Sequence, residues 1–355
     1  MRAPAKRHFG FTLIELMIAI TLGLIILAAL TSFFVRTSDN RRELERNSRQ
    51  IENGRFAINA LRDDLMLAGF YADITQPSTT VWDVTDACKT VLADMGWKPD
   101  QLSPQLPVPI LVYPLGVGRP TGCTPDYVKD TDVIVIRRLN SEPVTRASLT
   151  GVTAVANVPY VQISECPKDD TTKPYVIATG ADAPAGFPLK KQNCVNFAEV
   201  RRYREQLYYV RDYSVTAGDG IPTLVRVELD GDDTGTISNA IPLVDGIENL
   251  RVDWGIDNDG DGLPDVWSRC DGATPSVPAG KEACVAADWA NVMAAKIYVV
   301  SRNLEATTGY KDDKKYAIGL SGSTAATNDS YRRHVYSAQI NMPNRSGPRE
   351  PAFSS

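Results

Sequence analysis

Apolar residues crowd one end of the chain. Phe11–Val35 reads FTLIELMIAITLGLIILAALTSFFV, 25 residues with a single charge, Glu15. A helix of that length spans about 37 Å at roughly 1.5 Å per residue, more than a bilayer core of about 30 Å. Ahead of it, MRAPAKRHFG carries Arg2, Lys6 and Arg7. Basic residues before a span hold that end in the cytoplasm and put the residues after Val35 outside. From Ser38 to Phe70 the pattern turns amphipathic. Leu44, Ile51, Ile58, Leu61, Leu65 and Ala68 form one stripe at helical period, and no proline occurs between Pro4 and Pro77. This predicts one helix of about 55–60 residues, weakened at Gly54 and stopped at Gly69, whose stripe packs on a sheet.

Beyond Tyr71 the period shortens. Asp132–Arg137 is a short apolar run of the buried-strand type. Gln206–Tyr213, Thr223–Leu229, Leu250–Trp254, Ala295–Val300 and His334–Ile340 alternate, and Gly, Pro, Asp and Asn punctuate them. These segments predict an antiparallel sheet with hairpins, hence an α+β chain. Tyr71–Pro125 and Val155–Asn193 are rich in proline and hold four of the six cysteines. They are expected to be loop-rich insertions on one core. Asp230–Gly235 is expected to be a solvated hairpin turn.

Composition removes most enzyme classes. The chain has 355 residues, a net charge of -5 and two histidines, His8 and His334. A multi-His metal site and HExxH are therefore excluded, and neither a GxSxG elbow nor a Walker A loop is present. The acidic balance gives no sign of a direct nucleic-acid site. His334 is expected to be an ordinary packed or surface residue.

The apolar run has one feature that neither a signal peptide nor a plain anchor explains. A carboxylate, Glu15, stands near its start, where it costs up to about 2.5–3.5 kcal/mol at a helix centre. At Lys6–Gly10, followed by Phe11-Thr12-Leu13-Ile14-Glu15, the chain resembles the type IV pilin family. The resemblance implies a basic leader cut between Gly10 and Phe11 by a prepilin peptidase, N-methylation of Phe11, and a role for Glu15 in assembly. It also implies a pilin-like α+β fold. In that plan residues 1–10 are the leader, and 11–35 are the half of the helix buried in membrane or filament core. Residues 36–70 are its amphipathic half, and 71–355 are a β-rich periplasmic or extracellular domain. Ile241–Leu250, Val252–Gly255, Asp288-Trp289, Val292–Arg302 and Arg332–Ser337 narrow the resemblance to PilW-like minor pilins.

Such proteins are structural, not catalytic. The resemblance implies an inner-membrane protein that then enters a pilus fibre with other minor pilins and the major pilin. It primes assembly near the tip, helps present a tip adhesin, and supports twitching motility, cell adhesion and DNA uptake. A type II secretion pseudopilin shares leader and helix, and a membrane-anchored calcium-binding surface protein is a third reading.

Two further patterns carry chemistry. Asp257–Asp265 reads D-x-D-x-D-G-x-x-D, matching the first, third, fifth, sixth and ninth positions of an EF-hand-type loop. Asp257, Asp259, Asp261, the Leu263 carbonyl and Asp265 are the expected ligands of a structural Ca2+. Ser268 replaces the bidentate glutamate at the twelfth position, so the loop resembles isolated extracellular calcium loops. All six cysteines lie beyond the span, on the oxidising side. Nearest-neighbour spacing favours Cys88–Cys123, Cys166–Cys194 and Cys270–Cys284.

Overall fold

The computed structural model describes residues 12–72, 74, 80–100, 103–113, 120, 122–169, 173–229, 236–271 and 284–346. Leu13–Leu67 form one α-helix, α1, of 55 residues. With no proline to remove a backbone donor, the helix passes through Gly54 without a break. It ends where Gly69, at φ +71°, leaves helical space. Chain contacts divide the protein into Met1–Arg49 and Gln50–Ser355, and α1 contributes to both.

In the first unit, every large apolar side chain from Leu13 to Val35 is exposed. The two threonine hydroxyls in this stretch are satisfied locally. Thr21 Oγ1 donates to the Met17 carbonyl at 3.0 Å and Thr31 Oγ1 to that of Leu27 at 2.8 Å. Within Ser38–Arg49, Arg49 pairs with Glu45 one turn back.

The second unit begins where α1 acquires a buried face: Gln50, Gly54, Ala57, Ile58, Leu61, Asp64 and Leu65. The stripe expected from sequence is shifted. Ile58, Leu61, Leu65 and Ala68 are buried as expected, but Ile51 and Leu44 are 48% and 69% exposed. The reason is that small and polar residues, not the two apolar ones, meet the sheets in the preceding turns. Gln50 Nε2 donates to the Ser301 and Arg332 carbonyls at 2.8 and 3.0 Å, and Asn53 Nδ2 to that of Asp245 at 3.0 Å.

The body holds β1 (Val81–Asp83), β2 (Gln105–Pro107), β3 (Ile110–Tyr113), β4 (Val133–Leu139), β5 (Pro159–Ile163), β6 (Tyr175–Thr179) and β7 (Val200–Arg211). They are followed by β8 (Thr223–Glu228), β9 (Ile241–Asp245), β10 (Ile247–Ile256), β11 (Val266–Ser268), β12 (Val292–Arg302) and β13 (Arg333–Asn341). Two short α-helices, α2 (Ala286–Ala290) and α3 (Pro343–Ser346), and five single-turn 3-10 helices complete the described elements. A four-stranded antiparallel sheet has the order β11-β10-β12-β13, with Trp254 opposite Ala295 and Val299 opposite Tyr336. A seven-stranded sheet has the order β3-β4-β7-β5-β6, with β8 joined to β7 and β9 to β8. β1 and β2 form a small parallel pair. The fold is α+β.

One core joins the buried face of α1 to both large sheets through Leu61, Leu65, Val133, Val135, Leu207, Leu224, Leu250, Trp254 and Ile297. The β7 strand is buried on both faces from Glu205 onward, which removes the alternation expected there. The stretches expected to be loop-rich supply β1–β3, β5 and β6, and two smaller cores. In one, Trp97 meets Tyr71, Tyr175 and Tyr203 edge-on at ring-centroid distances of 5.3, 5.5 and 5.4 Å. The other gathers Leu149, Val158, Phe187 and Val200.

Candidate functional site

Three sequence patterns point to function, the leader with Glu15, the acidic loop and the six cysteines; the structure describes the first in part and the other two in full. Gly10 and Phe11, the expected cleavage and methylation positions, lie outside the described residues, as does Asp230–Gly235. Glu15 is described. Its Oε2 accepts from the Thr12 N–H and the Thr12 hydroxyl, both at 2.9 Å. Thr12 Oγ1 in turn accepts from the Glu15 N–H at 3.3 Å. This is a reciprocal capping box that satisfies donors at the first turn of α1. The T-x-x-E spacing that signals it stands in the sequence. Glu15 Oε1 takes no bond among the described residues.

The second motif is the connection between β10 and β11. Ile256 pairs with Val266, so residues 257–265 close a hairpin. Asp257 is fully buried at the end of β10, and its N–H donates to the Asn291 carbonyl at 3.0 Å. Its carboxylate accepts the N–H groups of Gly260 at 2.6 Å and Gly262 at 2.9 Å. Both glycines have left-handed φ, +85° and +87°, which turns their N–H groups inward at little steric expense. Asp265 Oδ2 accepts from the Asn258 N–H at 2.7 Å. Ligand oxygens of Asp257, Asp259 and Asp265 lie within 4.8 Å of one another.

The remaining expected ligands are placed differently. Asp261 is outside that group, because its Oδ1 closes a turn onto the Leu263 N–H at 2.7 Å. Leu263 has an exposed side chain. Ser268 is buried in β11, and its hydroxyl accepts the Cys270 N–H at 3.0 Å. The twelfth loop position is thus a sheet residue. The donor set is all hard oxygen, which suits calcium and not a soft transition metal.

The cysteines form three bridges, Cys88–Cys123, Cys166–Cys194 and Cys270–Cys284, with Cα–Cα distances of 6.0, 5.0 and 4.8 Å. His334 is exposed and stacks edge-on against Tyr336 at 4.7 Å.

Sequence reasoning did not single out the charged groups of the body. Arg137 is fully buried and pairs through Nε with Glu205 at 2.7 Å. Arg251 pairs with Asp132 at 2.7 Å. Burial raises the Asp132 carboxyl above its usual value, and the Arg251 guanidinium opposes that rise. Arg333, 2% exposed at its side chain, bonds to Glu248, Asp312 and Asp329 together. Its hydrogen bonds hold the Asp329 carboxyl down to about 2. Isolated Arg and Asp letters in strands and loops carry no spacing signal for such pairs.

Comparison with known proteins finds two matching stretches. Residues 207–344 match the model described as Type IV Pilus-assembly protein W, and residues 5–31 match the prokaryotic N-terminal methylation motif. No match is found among curated proteins. A solved type IV-like pilin from Thermus thermophilus aligns at 11% identity with a TM-score of 0.35, over 84% of this chain and 98% of that chain. The methylation motif lies across the start of α1, and the PilW match runs from β7 to the C-terminal helix. Over residues 207–344 the chain is thus similar to Type IV Pilus-assembly protein W, and over residues 5–31 to proteins that carry the N-terminal methylation motif.

Proposed function

We propose that this protein is a minor pilin that primes type IV pilus assembly and remains in the fibre, in the complex at its tip. The observation that carries the reading is a PilW region joined to a methylation motif on one 55-residue helix whose apolar half is exposed along its whole length. An apolar surface that long needs a bilayer or a packed helix bundle around it. Before assembly the chain spans the inner membrane once, with its basic end inside and its body in the periplasm. Its partners are the prepilin peptidase, the other minor pilins and the major pilin, with a tip adhesin carried beyond them. Twitching motility and adhesion follow from fibre formation. Glu15 Oε1 pairs with the Phe11 amine of a neighbouring subunit, because a carboxylate buried among packed helices needs a cation.

The test is deletion of the gene, followed by mass spectrometry of sheared fibres. Loss of surface fibres and of the other minor pilins from them is expected. Its absence from wild-type fibres, with piliation unchanged on deletion, would overturn the reading. Its recovery in a secretion pseudopilus would establish the type II secretion alternative.

The hairpin 257–265 supports a second, structural component: one calcium ion held by Asp257, Asp259 and Asp265, ordering the β10–β11 connection. Three converging carboxylates repel unless a cation joins them. Affinity in the class of extracellular modules, about 10⁻⁴–10⁻³ M, is expected. Titration calorimetry should give one site, abolished by Asp259→Ala with Asp265→Ala. No heat at about 10 mM calcium would leave an acidic turn.

A further inference from the structure

Val35 closes the apolar run, and arginines begin at the next residue. Arg36, Arg41 and Arg42 stand on α1 within the first unit, and all three are exposed. Their side chains take no ion pair or hydrogen bond among the described residues. Arg49, further along the same helix, is by contrast paired with Glu45. The only acid between them is Asp39, so residues 36–42 carry three positive charges and one negative, a net +2.

Their placement around the helix selects the partner. At about 100° per residue, Arg41 lies about 140° round the axis from Arg36, Arg42 about 100° beyond Arg41, and Arg36 about 120° beyond Arg42. An acidic protein docked on one side of α1 would miss at least one of them. A bilayer encloses a helix from every side and meets all three. Their depth agrees. From Arg36 to Arg42 the helix rises about 9 Å at 1.5 Å per residue, starting where the apolar surface stops. A headgroup layer is roughly 5–7 Å thick on each side of the bilayer core. Helical side chains tilt toward the N-terminus, here back toward the span, and an arginine stem is long enough to follow that tilt into the interface. A guanidinium keeps its charge at any working pH and holds a phosphate through two parallel N–H bonds.

We propose that Arg36, Arg41 and Arg42 form a collar that binds the phosphates of anionic phospholipid headgroups in the outer leaflet and holds the chain in the membrane until it enters a fibre. The proposal rests on the reading that α1 spans the inner membrane with the body outside.

The full chain is reconstituted into phosphatidylcholine vesicles with a trace of spin-labelled phosphatidylglycerol or spin-labelled phosphatidylcholine. Electron spin resonance reads the fraction of each held at the protein. The leader's own basic residues are first neutralised by Arg2→Gln, Lys6→Gln and Arg7→Gln. In that background phosphatidylglycerol should be favoured about fivefold at low salt, and Arg36→Gln, Arg41→Gln and Arg42→Gln together should abolish the preference. Asp39→Asn should raise it. A preference that survives the triple substitution overturns the proposal. So does one that inorganic phosphate removes where sodium chloride of equal ionic strength does not, since that describes a site for a free anion. Carbonate extraction reports insertion. An inserted chain with no lipid preference overturns this proposal and leaves the spanning reading standing, whereas a chain stripped from the vesicles overturns both.

Discussion

Gly54 offers a test in which two effects oppose each other. A glycine inside a helix is less favourable than alanine by about 1 kcal/mol, so Gly→Ala at an open site would stabilise. Gly54 is not an open site. A Cβ there would stand 2.2 Å from both Cδ2 and Cε2 of Tyr336. Carbon atoms rest at roughly 3.5–4.0 Å, so the ring must retreat by about 1.5 Å. It is confined by the His334 ring at 4.7 Å and by the pairing of its strand with β12. Overpacking of this kind costs about 1–3 kcal/mol. With about 2 kcal/mol lost and about 1 gained, Gly54→Ala should destabilise by about 1 kcal/mol, lowering Tm by about 2 °C. The sign should reverse once the ring is gone. In a Tyr336→Ala background, Gly54→Ala should stabilise by up to about 1 kcal/mol, giving a coupling of about 2 kcal/mol. Urea unfolding of the full chain in micelles, followed by tryptophan fluorescence, measures all four corners of the cycle. A stabilising Gly54→Ala in the parent, or the same sign in both backgrounds, would refute the packing argument.

Other outcomes follow from the same coordinates. Glu205→Ala strands the buried Arg137 guanidinium and should cost about 3–5 kcal/mol, whereas Arg137→Met with Glu205→Leu should unfold at a urea midpoint nearer the parent's. Asp329 has a carboxyl lowered from 3.8 to about 2 by Arg333, so its stabilising contribution is complete above about pH 4 and lost as pH falls through about 2. An acid titration of stability should therefore be flatter across that window in Asp329→Asn, and an unchanged slope counts against the Arg333 pairing. Replacing Cys270 and Cys284, 14 residues apart, by serine should cost about 3 kcal/mol in the chain-entropy account, read from unfolding midpoints. Gly10→Val should leave the leader attached, because a side chain now stands beside the cut; N-terminal sequencing that finds Phe11 first contradicts this.

Periodicity located every long element. Asp132–Arg137, Thr223–Leu229 and His334–Ile340 fall within a residue or two of β4, β8 and β13, because an unbroken apolar run in the first and apolar alternation in the other two both mark strands. The phase of α1 was less legible. Leu44 and Ile51 extend the apolar stripe, but the sheets are met by Gln50, Asn53 and Gly54. A side-chain amide seeking a strand carbonyl, and a glycine admitting a ring, carry no hydrophobic signal. The Thr12–Glu15 capping box is readable as T-x-x-E spacing, although the apolar run and the pilin-like motif mark Glu15 for its charge and not for a cap. The acidic hairpin was legible as a motif but not in its detail. Which carboxylates converge depends on the left-handed turns at Gly260 and Gly262, and those send Asp261 to its own loop backbone. The stretch 72–200 gave the least, because its strands are short and its cores are built from scattered aromatics such as Trp97.

The way α1 lies against β13 has a mechanical consequence. Gln50 touches Arg332, Gly54 adjoins Tyr336 and the Met66 carbonyl accepts from Asn344, so helix and strand run side by side in the same direction. A pull applied at residue 50 along the helix axis would slide these contacts past one another. Gln50 to the strand carbonyls, Asn53 to Asp245, and Asp64 to Tyr208 and Arg138 would then share the load at once. A pull across the axis would take them one at a time, from the Gln50 end. The body therefore resists tension along α1 in shear and yields to sideways force by peeling.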